Sequence, residues 1–150
     1  IDYAPPRHYH QFTAPGPLMN AAEGNHALAY TYFEEHEPFT SRPGAKEMLP
    51  LYRQKATAMG IPYPFFDFQA AASATAWQML EASIVGTKSL EDKKLAAWLK
   101  GAQVDTLMGK LRFDGPNNHG PDLSIVKQVI GKKWVVVWPE NVAGAKAELP

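Results

Sequence analysis

Three histidines have the types and spacing to do chemistry. His8 and His10 stand two apart in "RHYH", which puts both rings on one face of a strand and allows them to chelate Zn²⁺. His36 lies within "EEHE" (Glu34–Glu37), among carboxylates, and would complete a metal site if the two segments were adjacent. That reading gives a small metal-binding module or a metal-dependent enzyme using His8, His10 and His36. The plainer account is a solvated loop and a hydrogen-bonded histidine pair. It is preferred, because HxH recurs by chance and no HExxH or second spaced pair accompanies it. Nor is there a nucleophile elbow, a phosphate-cradling glycine loop or a catalytic carboxylate pair; "GIPYP" (Gly60–Pro64) is not such a loop. Cysteine is absent, which excludes disulfides, thiolate metal sites and cysteine nucleophiles. The residues point to a non-enzymatic binding protein with no cofactor, and the metal reading stands as the alternative.

Composition narrows the partners. The chain has 150 residues, about one domain, and 45% of them are hydrophobic, so a core can form. Fifteen basic residues balance fifteen acidic ones. Non-specific attraction to nucleic acid or to anionic membranes is therefore not expected. No apolar run is long enough to cross a bilayer. The opening "IDYAPPRHYHQF" has neither an initiator methionine nor the apolar stretch of a signal peptide, so the chain is expected to be a fragment.

The elements that must position any site follow from periodicity. "APPRHYHQFTAPGP" (Ala4–Pro17) carries too many prolines for a helix, and leaves room for one short strand over His8–Thr13. "ALAYTYFEE" (Ala27–Glu35) reads as a buried strand. Leu49, Tyr52, Arg53, Ala56 and Met59 repeat at helical spacing, with Gly60 as the stop. Pro50 either kinks that helix or sits in its first turn. "PFFDFQAAASATAWQMLEASIVG" is the clearest helix, with Phe68, Ala71, Ala72, Thr75, Met79 and Leu80 on one face. "SLEDKKLAAWLKG" is a third, capped by Ser89 and facing the core through Leu95, Trp98 and Leu99. "TLMGKLRF" reads as a strand. "LSIVKQVI" and "WVVVW" pair through "GKK". Trp134 and Trp138 read as packing on one strand face, and Lys132 and Lys133 as solvated turn charges. The class is α/β or α+β.

The last third carries a resemblance. "TLMGKLRFDGPNNHGPDLSIVKQVIGKKWVVVWPE" resembles the C-terminal signature of the periplasmic branched-chain amino-acid-binding protein family, the substrate-binding components of ABC importers. Gly109, Leu111, Phe113, Asp114, Gly131, Val135 to Val137 and Pro139 fit the family pattern. The Ala-rich helix ending "MLEAS" and the following "SLEDKKLAAWLKG" are similar to the helix pair that precedes it. "HQFTAPGPL" and "EGNHALAYTYFEEHEPF" resemble two successive strand ends of the second lobe. The resemblance spans essentially the whole chain and rests on order and spacing rather than on one motif.

It implies an α/β fold that is the C-terminal part of a two-lobed periplasmic-binding-protein-like structure. Residues 1–40 would end lobe two, 41–112 would give the lobe-one helices and return strand, and 113–150 the final lobe-two hairpin. The helices over Phe68–Ile84 and Ala96–Leu99 would share one core. The strands at Ala27–Phe33 and Trp134–Trp138 would share another, with crossings near Phe39–Pro43 and Phe113–Gly115. The implied ligand is a small amino acid, amide or aromatic acid, captured without chemistry by lobe closure. Its wall would come from Phe12, Thr13, Ala14, Tyr32, Phe33, Phe66 and Phe68, with Phe39 and Asp114 at the hinge. The implied partners are that ligand, the membrane permease of an ABC importer and the missing N-terminal part of the same protein. The implied compartment is periplasmic or extracytoplasmic.

Overall fold

In the computed structural model, residues 8–11 and 15–148 are described. They form a mixed α/β structure with four α-helices and two sheets. The larger sheet has the order β1-β2-β5-β6: β1 is Tyr9–His10, β2 Leu28–Thr31, β5 Ile125–Ile130 and β6 Lys133–Trp138. β1 runs parallel to β2, with Tyr9 opposite Leu28, while β2–β5 and β5–β6 are antiparallel. β3 (Val104–Thr106) and β4 (Gly109–Leu111) form a separate hairpin. The helices are α1 (Pro15–Asn20), α2 (Ala45–Ala58), α3 (Phe68–Thr87) and α4 (Asp92–Gly101). Among the described residues no helix is long and apolar enough to cross a membrane.

Local chemistry sets the element ends. The turn between β5 and β6 places Gly131 and Lys132 at φ of 56° and 60°, the two left-handed positions of a type I′ hairpin, as expected from "GKK". α3 starts at Phe68 because the Asp67 carboxylate accepts the Gln69 and Ala70 N–H groups. Gly60, at φ of 72°, follows α2 as the expected stop. Pro50 lies inside α2, beyond its first turn.

Four expectations need correction. β2 ends at Thr31 rather than Glu35, because the Thr31 hydroxyl donates to the Phe33 carbonyl at 2.8 Å and accepts the Phe33 N–H at 3.3 Å. That local loop competes with the ladder. The segment read as one strand from Thr106 is instead the β3–β4 hairpin. Its turn is closed by the Thr106 hydroxyl, which donates to the Gly109 carbonyl at 2.7 Å, and by Gly109 at φ of 108°. Glu91, not Ser89, occupies the N-cap position of α4, without a side-chain capping bond, and the Ser89 hydroxyl accepts the Glu91 N–H just before the helix. Finally, Trp134 and Trp138 do not share a face. A register shift between Val126 and Lys127 inserts an extra residue in β6, and Trp138 is 57% exposed.

The separate helix and strand cores do not form either. One cluster joins Phe33, Ile125 and Val136 from the strand side to Ala45, Ala71 and Ala74 from the helices. Phe39, Phe66 and Leu107 belong to the same cluster. The small side chains of Ala71 and Ala74 let α3 come close to its neighbours, and its nearest strand is β3 rather than the larger sheet. α4 packs on the far end of α3, where the Trp98 ring covers Gly86. A methyl on Gly86 would come within 2.5 Å of that ring. Gly86→Ala should therefore destabilise the chain by about 1–3 kcal/mol, the usual scale of overpacking, read as a lower denaturation midpoint. The same change at exposed Gly101, where a Cβ meets open space, should not destabilise. The opposite face of α3 stays uncovered: Trp77 is 72% exposed, and Leu80 and Val85 are exposed beside it.

Candidate functional site

The chain leaves β2 through Glu34, Glu35 and His36, and these pass the entry of α3 at Phe65, Phe66 and Asp67. Between them lies a cavity of about 290 Å³. Lys127 of β5, Trp134 of β6, Pro15 and Met19 of α1, and Lys132 and Lys133 at the hairpin turn complete its lining. It is at the low end of the size range for small-ligand pockets, and combines an apolar wall with a few polar groups.

The polar groups are tightly held. Lys127 is only 2% exposed, yet its ammonium donates to Glu34 Oε1 at 2.5 Å and lies 4.7 Å from the centre of the Trp134 ring. Glu34 is 13% exposed. Burial of both charges is tolerable only because they are paired, and the ring face adds a cation–π contact. Trp134 in turn donates its indole N–H to the Pro15 carbonyl at 2.9 Å, which fixes α1 to the sheet. The Glu35 carboxylate accepts the Phe66 N–H at 3.0 Å and pairs with Arg53, so it ties the exit of β2 to α2 and to the start of α3. His36 donates or accepts nothing at its buried Nε2 among the described residues, while its Nδ1 lies 2.8 Å from the Glu37 carbonyl and therefore donates to it. The Thr40 and Ser41 hydroxyls donate to the Glu37 carboxylate and hold its pKa below the ordinary value.

The residues expected to line a cleft divide between several places. Phe66 is on the cavity wall. Phe33 is fully buried directly behind it, with ring centres 5.5 Å apart. Tyr32 points the other way and joins Tyr30 and Phe68, with its ring centre 5.4 Å from Tyr30 and 6.4 Å from Phe68. Burial, then the neighbouring Tyr32, raises the pKa of Tyr30. Phe39, expected at a hinge, is fully buried in the core cluster, and Asp114 is exposed and pairs with Arg112 at 3.4 Å. Phe12, Thr13 and Ala14 lie outside the described residues. His8, His10 and His36 do not assemble: among the described residues no group of three or more His, Cys, Asp or Glu side chains forms a metal cluster.

Sequence reasoning missed Lys127 and Arg42, and read Trp134 as packing rather than as part of a site. Lys127 shares strand parity with Ile125 and Val129, which is the one signal that it points inward. Arg42 Nη1 donates to the carbonyls of Tyr32 and Leu107 at 3.2 and 3.1 Å, its guanidinium lies over Phe39, and burial lowers its pKa. It joins the exit of β2 to the β3–β4 hairpin. Among known proteins, no family model and no curated sequence matches the chain.

Proposed function

We propose that this protein captures a small organic ligand, without chemistry, as part of a two-lobed binding protein that serves an ABC importer outside the cytoplasm. The observation that carries this reading is the cavity beyond the carboxyl end of β2, walled by Phe65, Phe66 and Trp134 and bearing the Lys127–Glu34 pair. A small pocket with an aromatic wall and few polar groups is suited to an amino acid, an amide or an aromatic acid. The chain would supply one wall and part of the closing lobe. In this reading the exposed face of α3, with Trp77, Leu80 and Val85, is covered by another part of the same binding protein. The membrane permease would dock on the closed form, whose population the ligand raises.

Titration calorimetry with a panel of branched-chain amino acids, amides and aromatic acids tests the ligand. At least one member should bind, and Phe66→Ala should weaken it by at least about 1 kcal/mol, the scale of a truncated contact. Lys100→Ala, at an exposed position on α4, should leave it unchanged. Heat from no member of the panel, or equal affinity in Phe66→Ala, would remove the proposal.

A further inference from the structure

A second site stands apart from the cavity, at the start of the larger sheet. His8 Nδ1 and His10 Nε2 converge to 2.5 Å, with the rings nearly perpendicular at 85° and their centres 4.7 Å apart. The other nitrogen of His8, Nε2, lies 3.0 Å from the backbone carbonyl of Glu23. A carbonyl oxygen only accepts, so His8 carries its proton on Nε2 and its Nδ1 lone pair faces His10. His10 Nε2 faces that lone pair, so two ring nitrogens converge on one point that a shared proton or a bound cation can occupy.

We infer that His8 and His10 form a two-nitrogen binding site for a divalent transition-metal cation. The Glu23 carbonyl supplies the outer support that metal-ligating histidines ordinarily have, since it fixes the tautomer and aims Nδ1. Two nitrogens at about 2.0–2.1 Å from one Zn²⁺ in near-tetrahedral geometry stand roughly 3.3 Å apart, so the rings must open by under an ångström. Both residues are only partly buried, and side-chain rotation can provide that movement. The pairing of β1 with β2 holds the two Cα atoms in place, with His10 opposite Ala29 and the Leu28 N–H donated to the His8 carbonyl. The remaining coordination positions belong to water, which leaves the metal open to a further donor. Imidazole donors select Cu²⁺, Ni²⁺ and Zn²⁺ over Mg²⁺ and Ca²⁺, and Cu²⁺ binds tightest among them. His36 takes no part.

The test is titration of the untagged full chain with Cu²⁺ and with Zn²⁺, followed by calorimetry and by electron paramagnetic resonance of the Cu²⁺ form. The inference requires saturation near one equivalent, tighter for Cu²⁺ than for Zn²⁺, and a resonance signal split by two imidazole nitrogens. His8→Gln and His10→Gln should each abolish saturation, while His36→Gln should leave it intact. The spectrum of the unaltered protein stands even where a variant fails to fold. Absence of saturable binding would mean that the rings share a proton only. Binding that survives His10→Gln would place the metal elsewhere. Either result overturns the inference.

Discussion

Lys127→Met should lower the stability of the chain by about 3–5 kcal/mol, the measured scale for removing one partner of a buried ion pair. Methionine keeps the unbranched bulk over Trp134, so the loss isolates the charge. What it leaves behind is Glu34, 13% exposed and with no ammonium at 2.5 Å to offset its burial. The cost is the desolvation of that stranded carboxylate rather than the attraction between the two groups. The double variant Lys127→Met with Glu34→Gln should therefore recover most of the loss, because an uncharged amide is far cheaper to bury. Urea denaturation at constant slope measures both changes. Equal destabilisation in the single and double variants would mean that the pair is not the source.

Phe33→Ala should cost a similar amount, about 3–5 kcal/mol, for a different reason. The ring is fully buried and meets Phe39 and Phe66 edge to face, with centres 6.0 and 5.5 Å away. Tyr52 also meets Phe66 edge to face, with ring centres 5.2 Å apart. Truncation leaves a void between the exit of β2, the 3₁₀ turn at Phe39–Ser41 and the entry of α3, and these backbones are held by Arg42 and Glu35. They cannot collapse into it freely, which places the cost high within the usual spread. Trp77→Ala is the contrast. Its ring is larger but 72% exposed, and the change should fall within about 0.5 kcal/mol. Because Phe33 supports Phe66 from behind, Phe33→Ala should also weaken any ligand that rests on the Phe66 wall. Thermal unfolding and calorimetry on one sample set would read both effects. A loss below about 1 kcal/mol would show that the aromatic cluster is not the centre of the core.

Elements whose signals are local could be read in the sequence. The β5–β6 hairpin was legible because Gly131 and Lys132 accept left-handed backbone between two β-favouring runs. The long Ala-rich helix was legible from its period, although its start was not: Asp67 caps it four residues into the quoted stretch. α4 starts two residues later than a Ser89 cap implies, because the Ser89 hydroxyl is taken up by the Glu91 N–H in a local turn before the helix. The break in β2 depended on one hydroxyl, Thr31, closing on its own backbone, which a run of β-favouring residues hides. The site was harder. Phe66 could be named from its place before α3, but the Lys127–Glu34 pair spans 93 residues, and beyond the strand parity of Lys127 nothing local marks it. Lys127 reads as an ordinary strand lysine until the sheet order places it beneath the β2 exit. Tyr32 and Phe33 show the limit most simply: both belong to one aromatic run, and only the local backbone decides that Phe33 enters the core and Tyr32 joins Tyr30 and Phe68.

Ligand capture in the cavity between the β2 exit and the start of α3 is tested most directly by amide and indole NMR spectra. These would be recorded while amino acids, amides and aromatic acids are added singly. Capture predicts that one class shifts the Trp134 indole N–H and the Phe66 amide in a saturable way, while Leu90 and Gly101, exposed near α4, stay still. Spectra that remain unchanged at Trp134 and Phe66 across the whole panel, or saturable shifts confined to residues away from the cavity, would contradict it.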